Sequence, residues 1–254
     1  MSNIIETLQK SEMPFLEHLE ELRWRIIKAV ISVVIASIGA AFFAEYLVKE
    51  ILLGPLLAVG LKAQVLTPYG IMLLYMEVVL VAGIIISMPV VLYQLWQFIA
   101  PALLPGERKY SWWIIFFTSL CFLAGIAFGY FVILPTSLAF FSSFGTTIIE
   151  LNIAIDSYVS FVLTLILGAG LIFELPMVTY FLSKIGILHP LLMRKYRRHA
   201  IVIILIISAL VTPTPDILTQ SLFAAPMIIL YEISIFISHY AQKKQSNEIS
   251  PTHT

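Results

Sequence analysis

Apolar positions along this chain fall into six blocks separated by short polar or proline-bearing stretches. The blocks are continuous rather than alternating, which predicts buried or membrane-crossing helices and not half-exposed strands. Ile26–Ala44 is the first. Ile71–Ala100 is the second; at 1.5 Å per residue it would be about 45 Å long against a hydrocarbon core of about 30 Å. It must tilt or bend, and Pro89 is the natural kink point. Trp112–Leu134 follows, opened by Tyr110, Trp112 and Trp113 as an interfacial belt. Tyr158–Leu182 is interrupted by Glu174 and Pro176. The last two blocks, Ala200–Val211 and Ile217–Tyr231, are short, about 18 and 22 Å as helices. Only the TPTPD turn separates them, so they form either a re-entrant hairpin or two short crossings of a thinned bilayer. The stretch between the first two blocks, with Gly54, Pro55, Gly60 and Pro68, is too broken to span. Pro135 to Asp156 reads as a second outer loop, and LPGERK (Leu104–Lys109) as a tight polar turn.

Ahead of the first block lies MPFLEHLEELRWR, Met13 to Arg25. Phe15, Leu19, Leu22 and Ile26 share one helical face, while Glu17, His18, Glu20, Glu21, Arg23 and Arg25 take the others. This predicts an amphipathic helix lying along the membrane surface before turning into the first span. Its wealth of carboxylates is unusual where lysine and arginine would be expected against anionic lipid. Pairs such as Glu21–Arg25 on a solvated helix explain the residues, at about 0.2–0.5 kcal/mol each; so does a docking site for a basic ligand.

Composition agrees with the block pattern. Sixty per cent of the 254 residues are apolar, 12% are charged and mean hydropathy is +0.97, the profile of an integral membrane protein. The formal net charge is zero and gives no reason to expect nucleic acid. The one cysteine, Cys121, lies in an apolar run and can form no intrachain disulfide. The first block lacks a small-residue cleavage site and reads as a retained span. Thirteen of the fifteen lysines and arginines fall on one side if both termini are cytoplasmic, leaving only Lys49 and Lys62 outside. The positive-inside rule then gives an all-α protein of six transmembrane helices with N- and C-termini in the cytoplasm. A single membrane domain covers residues 1–240, and residues 241–254 read as a disordered cytoplasmic tail.

Candidate chemistry is sparse. All five histidines lie in cytoplasmic ends or loops, and no HExxH, GxSxG or phosphate-binding glycine loop occurs, so neither a catalytic centre, a metal site nor a cofactor is expected. Carboxylates remain. Glu174 sits well inside the fourth block, where an ionisable group is a functional candidate. It could equally be a neutral acid bonded to Gln220, Ser208 or Thr212. Glu77 lies near the outer end of the second block and reads as interfacial.

Several of these stretches together resemble one family. PFLEHLEELRWR, MPVVLYQLWQFIAPAL with the GERK turn, FGYFVILP, FELP, and TPTPD with a glutamine four residues on are similar, in order, to TatC, the multispanning core of the twin-arginine protein translocase. Gly106 ahead of the turn glutamate is a small departure. The resemblance runs from Pro14 to about Tyr240. It implies a receptor for twin-arginine signal peptides of folded precursors, with small single-span TatA/TatB-type subunits as partners in an oligomeric complex. Transport would be driven by the proton-motive force in a bacterial inner membrane, or alternatively a plastid thylakoid. It further implies that Glu21 and Glu107 contact the arginine pair, that Arg23 and Phe98 shape that cytoplasmic site, and that Glu174, Thr212 and Gln220 form an intramembrane site for the single-span partners. Pro55 and Asp216 would belong to functional outer loops.

Physical chemistry fits the implication. Guanidinium engages carboxylate through two parallel hydrogen bonds, which an ammonium cannot copy, so two separated carboxylates could select an arginine pair over a lysine pair. The rival reading is a proton-coupled secondary transporter using Glu174. It predicts inverted repeats and paired broken helices, and the two halves of this sequence show neither.

Overall fold

The computed structural model of the chain describes residues 2–99, 111–143, 152–184, 186–211 and 217–249. Helix α1 runs from Ser2 to Ala41 without a break. The amphipathic stretch and the first span are therefore one continuous helix, not a surface helix that turns. No glycine precedes Gly39, and Pro14, the one proline here, costs only local hydrogen bonding, so nothing forces a bend at Arg25. From Leu19 onward α1 keeps most of its large side chains on the surface, and it packs along α4 (Gly70–Ile99), which carries Pro89 in its interior. Where the two helices meet, Gly83 has no room for a side chain: a Cβ there would lie 2.8 Å from both Cα and N of Ser37. Such small-residue contacts let membrane helices approach closely.

The stretch expected to be a broken outer loop is largely helical. It contains α2 (Ala44–Tyr46), a π-helical turn at Leu47–Leu52, and α3 (Gly54–Ala58), with Val48, Leu52 and Leu56 buried in the main core. Strand β1 (Lys62–Gln64) follows and pairs in parallel with β2 (Asn152–Ala154) from the other outer loop. Two tyrosine hydroxyls pin this cap to the spans: Tyr130 donates to the Ile51 carbonyl at 2.9 Å and Tyr158 to the Leu52 carbonyl at 2.6 Å. Thr67 donates to Asp156 at 3.3 Å.

The third crossing is longer than its apolar run suggested. Helix α5 (Ser111–Phe128) passes through a π-helical turn at Gly129–Ile133 into α6 (Leu134–Ser142), giving a continuous apolar helical stretch Trp112–Ser142. Pro135, at the expected start of a loop, instead occupies the first turn of α6, where its missing N–H costs least. Helix α7 (Ile155–Phe173) packs on α5 around Gly125, whose Cβ would meet the Gly170 Cα at 2.9 Å. Helix α8 (Leu175–Lys184) completes the fourth crossing.

The short α9 (Pro190–Lys195) leads into α10 (Arg197–Val211) and then α11 (Ile217–Ile249). Among the described residues, five apolar stretches are long enough to cross a membrane: Leu19–Ala41, Gly70–Phe98, Trp112–Ser142, Ile155–Lys184 and Thr219–His239. Helix α10, at 15 residues, is the short sixth. The architecture is that of an all-α integral membrane protein, with one small ladder among the described residues on its outer side. The last helix is not itself short. Its apolar stretch continues past Glu232 to His239, because Arg197 partners that glutamate at 2.6 Å. Residues 241–249, expected to be disordered, continue α11: AQKKQSNE holds neither glycine nor proline, and the next proline is Pro251.

Candidate functional site

Pro176 creates the central feature of the membrane interior. A proline has no N–H to give the carbonyl four residues back, and its ring crowds that carbonyl, here Ile172. The chain ends α7 at Phe173 and restarts α8 at Leu175, with Glu174 at the joint (φ −76°, ψ −16°). Its N–H bonds the Leu171 carbonyl at 3.2 Å in a tightened turn, and its own carbonyl accepts from Met177 and Val178. The side chain is buried, at 7% exposure, and Oε1 has no hydrogen-bond partner.

That carboxyl lines a cavity of about 440 Å³ between α4, α5 and α8. Met88, Leu92, Leu171 and Phe181 make its walls apolar, and Trp96 shares them. The Trp96 indole N–H is likewise buried without a partner, its ring held 4.3 Å from that of Phe181. Thr118, also lining the cavity, spends its hydroxyl on the Ile114 carbonyl of its own helix. Two unsatisfied polar atoms in an apolar cavity cost free energy unless a guest supplies the missing bonds. Trp96 and Thr118 did not stand out in the sequence, where a tryptophan near the end of an apolar block reads as part of an interfacial belt.

Two of the residues expected beside Glu174, Gln220 and Ser208, do not join it. Gln220 donates to the Leu205 carbonyl of α10 at 3.0 Å, and Ser208 donates to that same carbonyl at 2.9 Å. Neither lines the Glu174 cavity. Thr212 and Asp216 lie outside the described residues.

On the cytoplasmic side, Arg25 donates from both Nε, at 3.0 Å, and Nη2 to Oε1 of Glu21. Arg23 is exposed. Glu21 lies sixteen residues before Ser37 on α1, and Ile99 sixteen after Gly83 on antiparallel α4. Equal rise per residue puts Glu21 level with the last turn of α4, where Phe98 is half-buried. Glu107 lies outside the described residues. At the outer surface Pro55 occupies the first turn of α3 and helps set the buried Leu56 into the core. Nearby, Lys49 pairs with Glu45 at 2.5 Å; that hydrogen bond and its charge hold the Glu45 carboxyl below its usual range and lift the Lys49 ammonium above its own. Among the described residues no cluster of His, Cys, Asp and Glu could hold a metal ion.

Residues 17–226 match the family model described as TatC, Sec-independent protein translocase protein. The chain belongs to the TatC family. It is 37% identical to the Sec-independent protein translocase protein TatC of Carboxydothermus hydrogenoformans, over 94% of this chain and 98% of that one. With the Aquifex aeolicus TatC it shares 39% identity over 92% and 98%, and with TatCd of Bacillus subtilis 36% over 95% and 98%. The fold is similar to a crystal structure of the twin-arginine translocase receptor TatC, with a TM-score of 0.79 at 38% identity, covering 89% of this chain and 99% of that one. Membership of a protein translocase family removes the secondary-transporter reading.

Proposed function

We propose that this TatC-family chain is the signal-peptide receptor and membrane core of a twin-arginine translocase in a bacterial inner membrane. The observation that carries the reading is the family match across residues 17–226, which spans both Glu21 and Glu174. Glu21 and Glu107 each take one guanidinium of the arginine pair, with Arg23 and Phe98 beside them. The level of Glu21 with the end of α4 supports this, because Glu107 follows that end by eight residues in sequence. The Glu174 cavity supports a second role. An acid whose Oε1 lacks a partner can meet a polar side chain on the membrane helix of a single-span TatA/TatB-type subunit. Cargo then moves at the expense of the proton-motive force within an oligomeric complex.

The test is binding of a synthetic twin-arginine signal peptide to the reconstituted protein, against the same peptide with a lysine pair. The arginine peptide should bind at least about tenfold more tightly, the equivalent of about 1.4 kcal/mol. Equal binding would remove the receptor role.

A further inference from the structure

Three contacts fix how deep α9 and α10 sit in the cytoplasmic half of the membrane. Ser183, next to last in α8, bonds Ser238 of α11 hydroxyl to hydroxyl at 2.6 Å, so α8 ends level with the end of the apolar stretch of α11. Arg197 at the start of α10 instead pairs with Glu232, and Tyr231 donates to the carbonyl of Met193 in α9 at 2.9 Å. Six residues of helix separate Glu232 from Ser238, so the junction of α9 and α10 lies about 9 Å nearer the bilayer centre than the end of α8. The bond from Gln220 to the Leu205 carbonyl gives the same picture from the outer side. Eight residues toward the cytoplasm from these positions set the Arg197 backbone against Ile228, one turn deeper than Glu232, so its side chain reaches back toward the cytoplasm to that glutamate.

This recess carries an unusual load. Leu191 and Leu192 of α9 are exposed, Leu191 to 79%, as expected of side chains set among acyl chains. Arg194, Lys195 and Arg198 are exposed at the same depth. Glu232 is already engaged by Arg197, and among the described residues no carboxylate pairs with the other three cations. Cations held below the headgroup plane draw anions down to them, and basic pockets between membrane helices on the cytoplasmic side suit anionic headgroups. The flanking leucines favour an anion that brings acyl chains over one that comes from water.

We propose that Arg194, Lys195 and Arg198, at the recessed junction of α9 and α10, form a binding site for the phosphate headgroup of an anionic phospholipid in the cytoplasmic leaflet. The headgroup settles below its usual plane there, and the leaflet thins locally to meet the short α10. Arg197 has a different part. Its pairing with Glu232 sets the depth of the site and does not contact the lipid.

The experiment is native mass spectrometry of the full chain released from vesicles holding equal phosphatidylglycerol and phosphatidylcholine. The wild type should retain phosphatidylglycerol preferentially. In the combined R194Q, K195Q and R198Q variant the preference should fall at least about fivefold, the equivalent of about 1 kcal/mol. R198Q alone, with less risk to folding, should lower it in part, and K243Q with K244Q on the distal part of α11 should leave it unchanged. Equal retention of the two lipids by the wild type, or an undiminished preference in the combined variant, would overturn the site. Displacement of phosphatidylglycerol by inorganic phosphate would overturn the assignment to lipid. Twin-arginine peptide binding on the same samples reads the receptor role separately, so the two can fail independently.

Discussion

The Tyr158 hydroxyl reaches back across the outer face to donate to the Leu52 carbonyl at 2.6 Å, and both residues are buried. One bond thus fastens the cap after the first span to the start of the fourth crossing. Tyr158→Phe keeps the ring and leaves that carbonyl without its donor. The expected cost is about 1–3 kcal/mol, visible as a lower thermal midpoint of the purified protein. Tyr130→Phe, at a more exposed site, should cost less. Equal melting of Tyr158→Phe and wild type would show that water replaces the bond.

Gly83 supplies a second test. A methyl there meets the backbone of Ser37, which cannot swing aside as a side chain would. Gly83→Ala should therefore separate α1 from α4 and destabilise the protein by about 1–3 kcal/mol. Gly39→Ala, where a Cβ meets nothing within 4 Å, is the control and should melt as wild type.

At the proposed arginine site, Glu21→Gln or Glu107→Gln should weaken twin-arginine peptide binding by about tenfold to a hundredfold, as expected for one charge-assisted pair of about 1.5–3 kcal/mol. The structure adds a finer expectation. Arg25 already bonds Glu21, so a guest guanidinium competes with it. Arg25→Gln should strengthen peptide binding while leaving the protein folded. Unchanged crosslinking to the signal peptide in both glutamate variants would take these residues out of the site.

Glu174→Ala should leave peptide binding intact and impair recruitment of single-span partners or transport, while Glu174→Gln keeps the hydrogen-bonding shape and should retain much more activity. If glutamine fails as alanine does, ionisation itself is required. Trp96→Phe, which removes the other unpartnered group of the cavity, should share the alanine phenotype in milder form.

The crossings were legible because uninterrupted apolar runs and the asymmetry of basic residues report directly on lipid. Glu174 stood out for the same reason, as a lone carboxylate in such a run. What a sequence does not display depends on contacts between distant segments. Nothing near Lys62 or Asn152 announces that they pair, since three-residue strands carry too few side chains to show a period. Glu232 looked like the end of the last span because its partner, Arg197, lies 35 positions away. Pro135 looked like a loop because a π-helical turn, which absorbs the proline, leaves no compositional trace. Gln220 and Glu174 share a polar character that suggested a common site, yet helix direction sends Gln220 to α10.

The ladder between β1 and β2 also bears on how the protein is made. Its strands lie on opposite sides of the second and third crossings in sequence, so neither can pair until both of those helices have been threaded through the membrane. Helices can form one at a time as the chain emerges, whereas this pairing must wait for a distant partner. During biogenesis the β1 edge therefore stays open while residues 65–151 are being delivered, and it can close only once the first three crossings are in place.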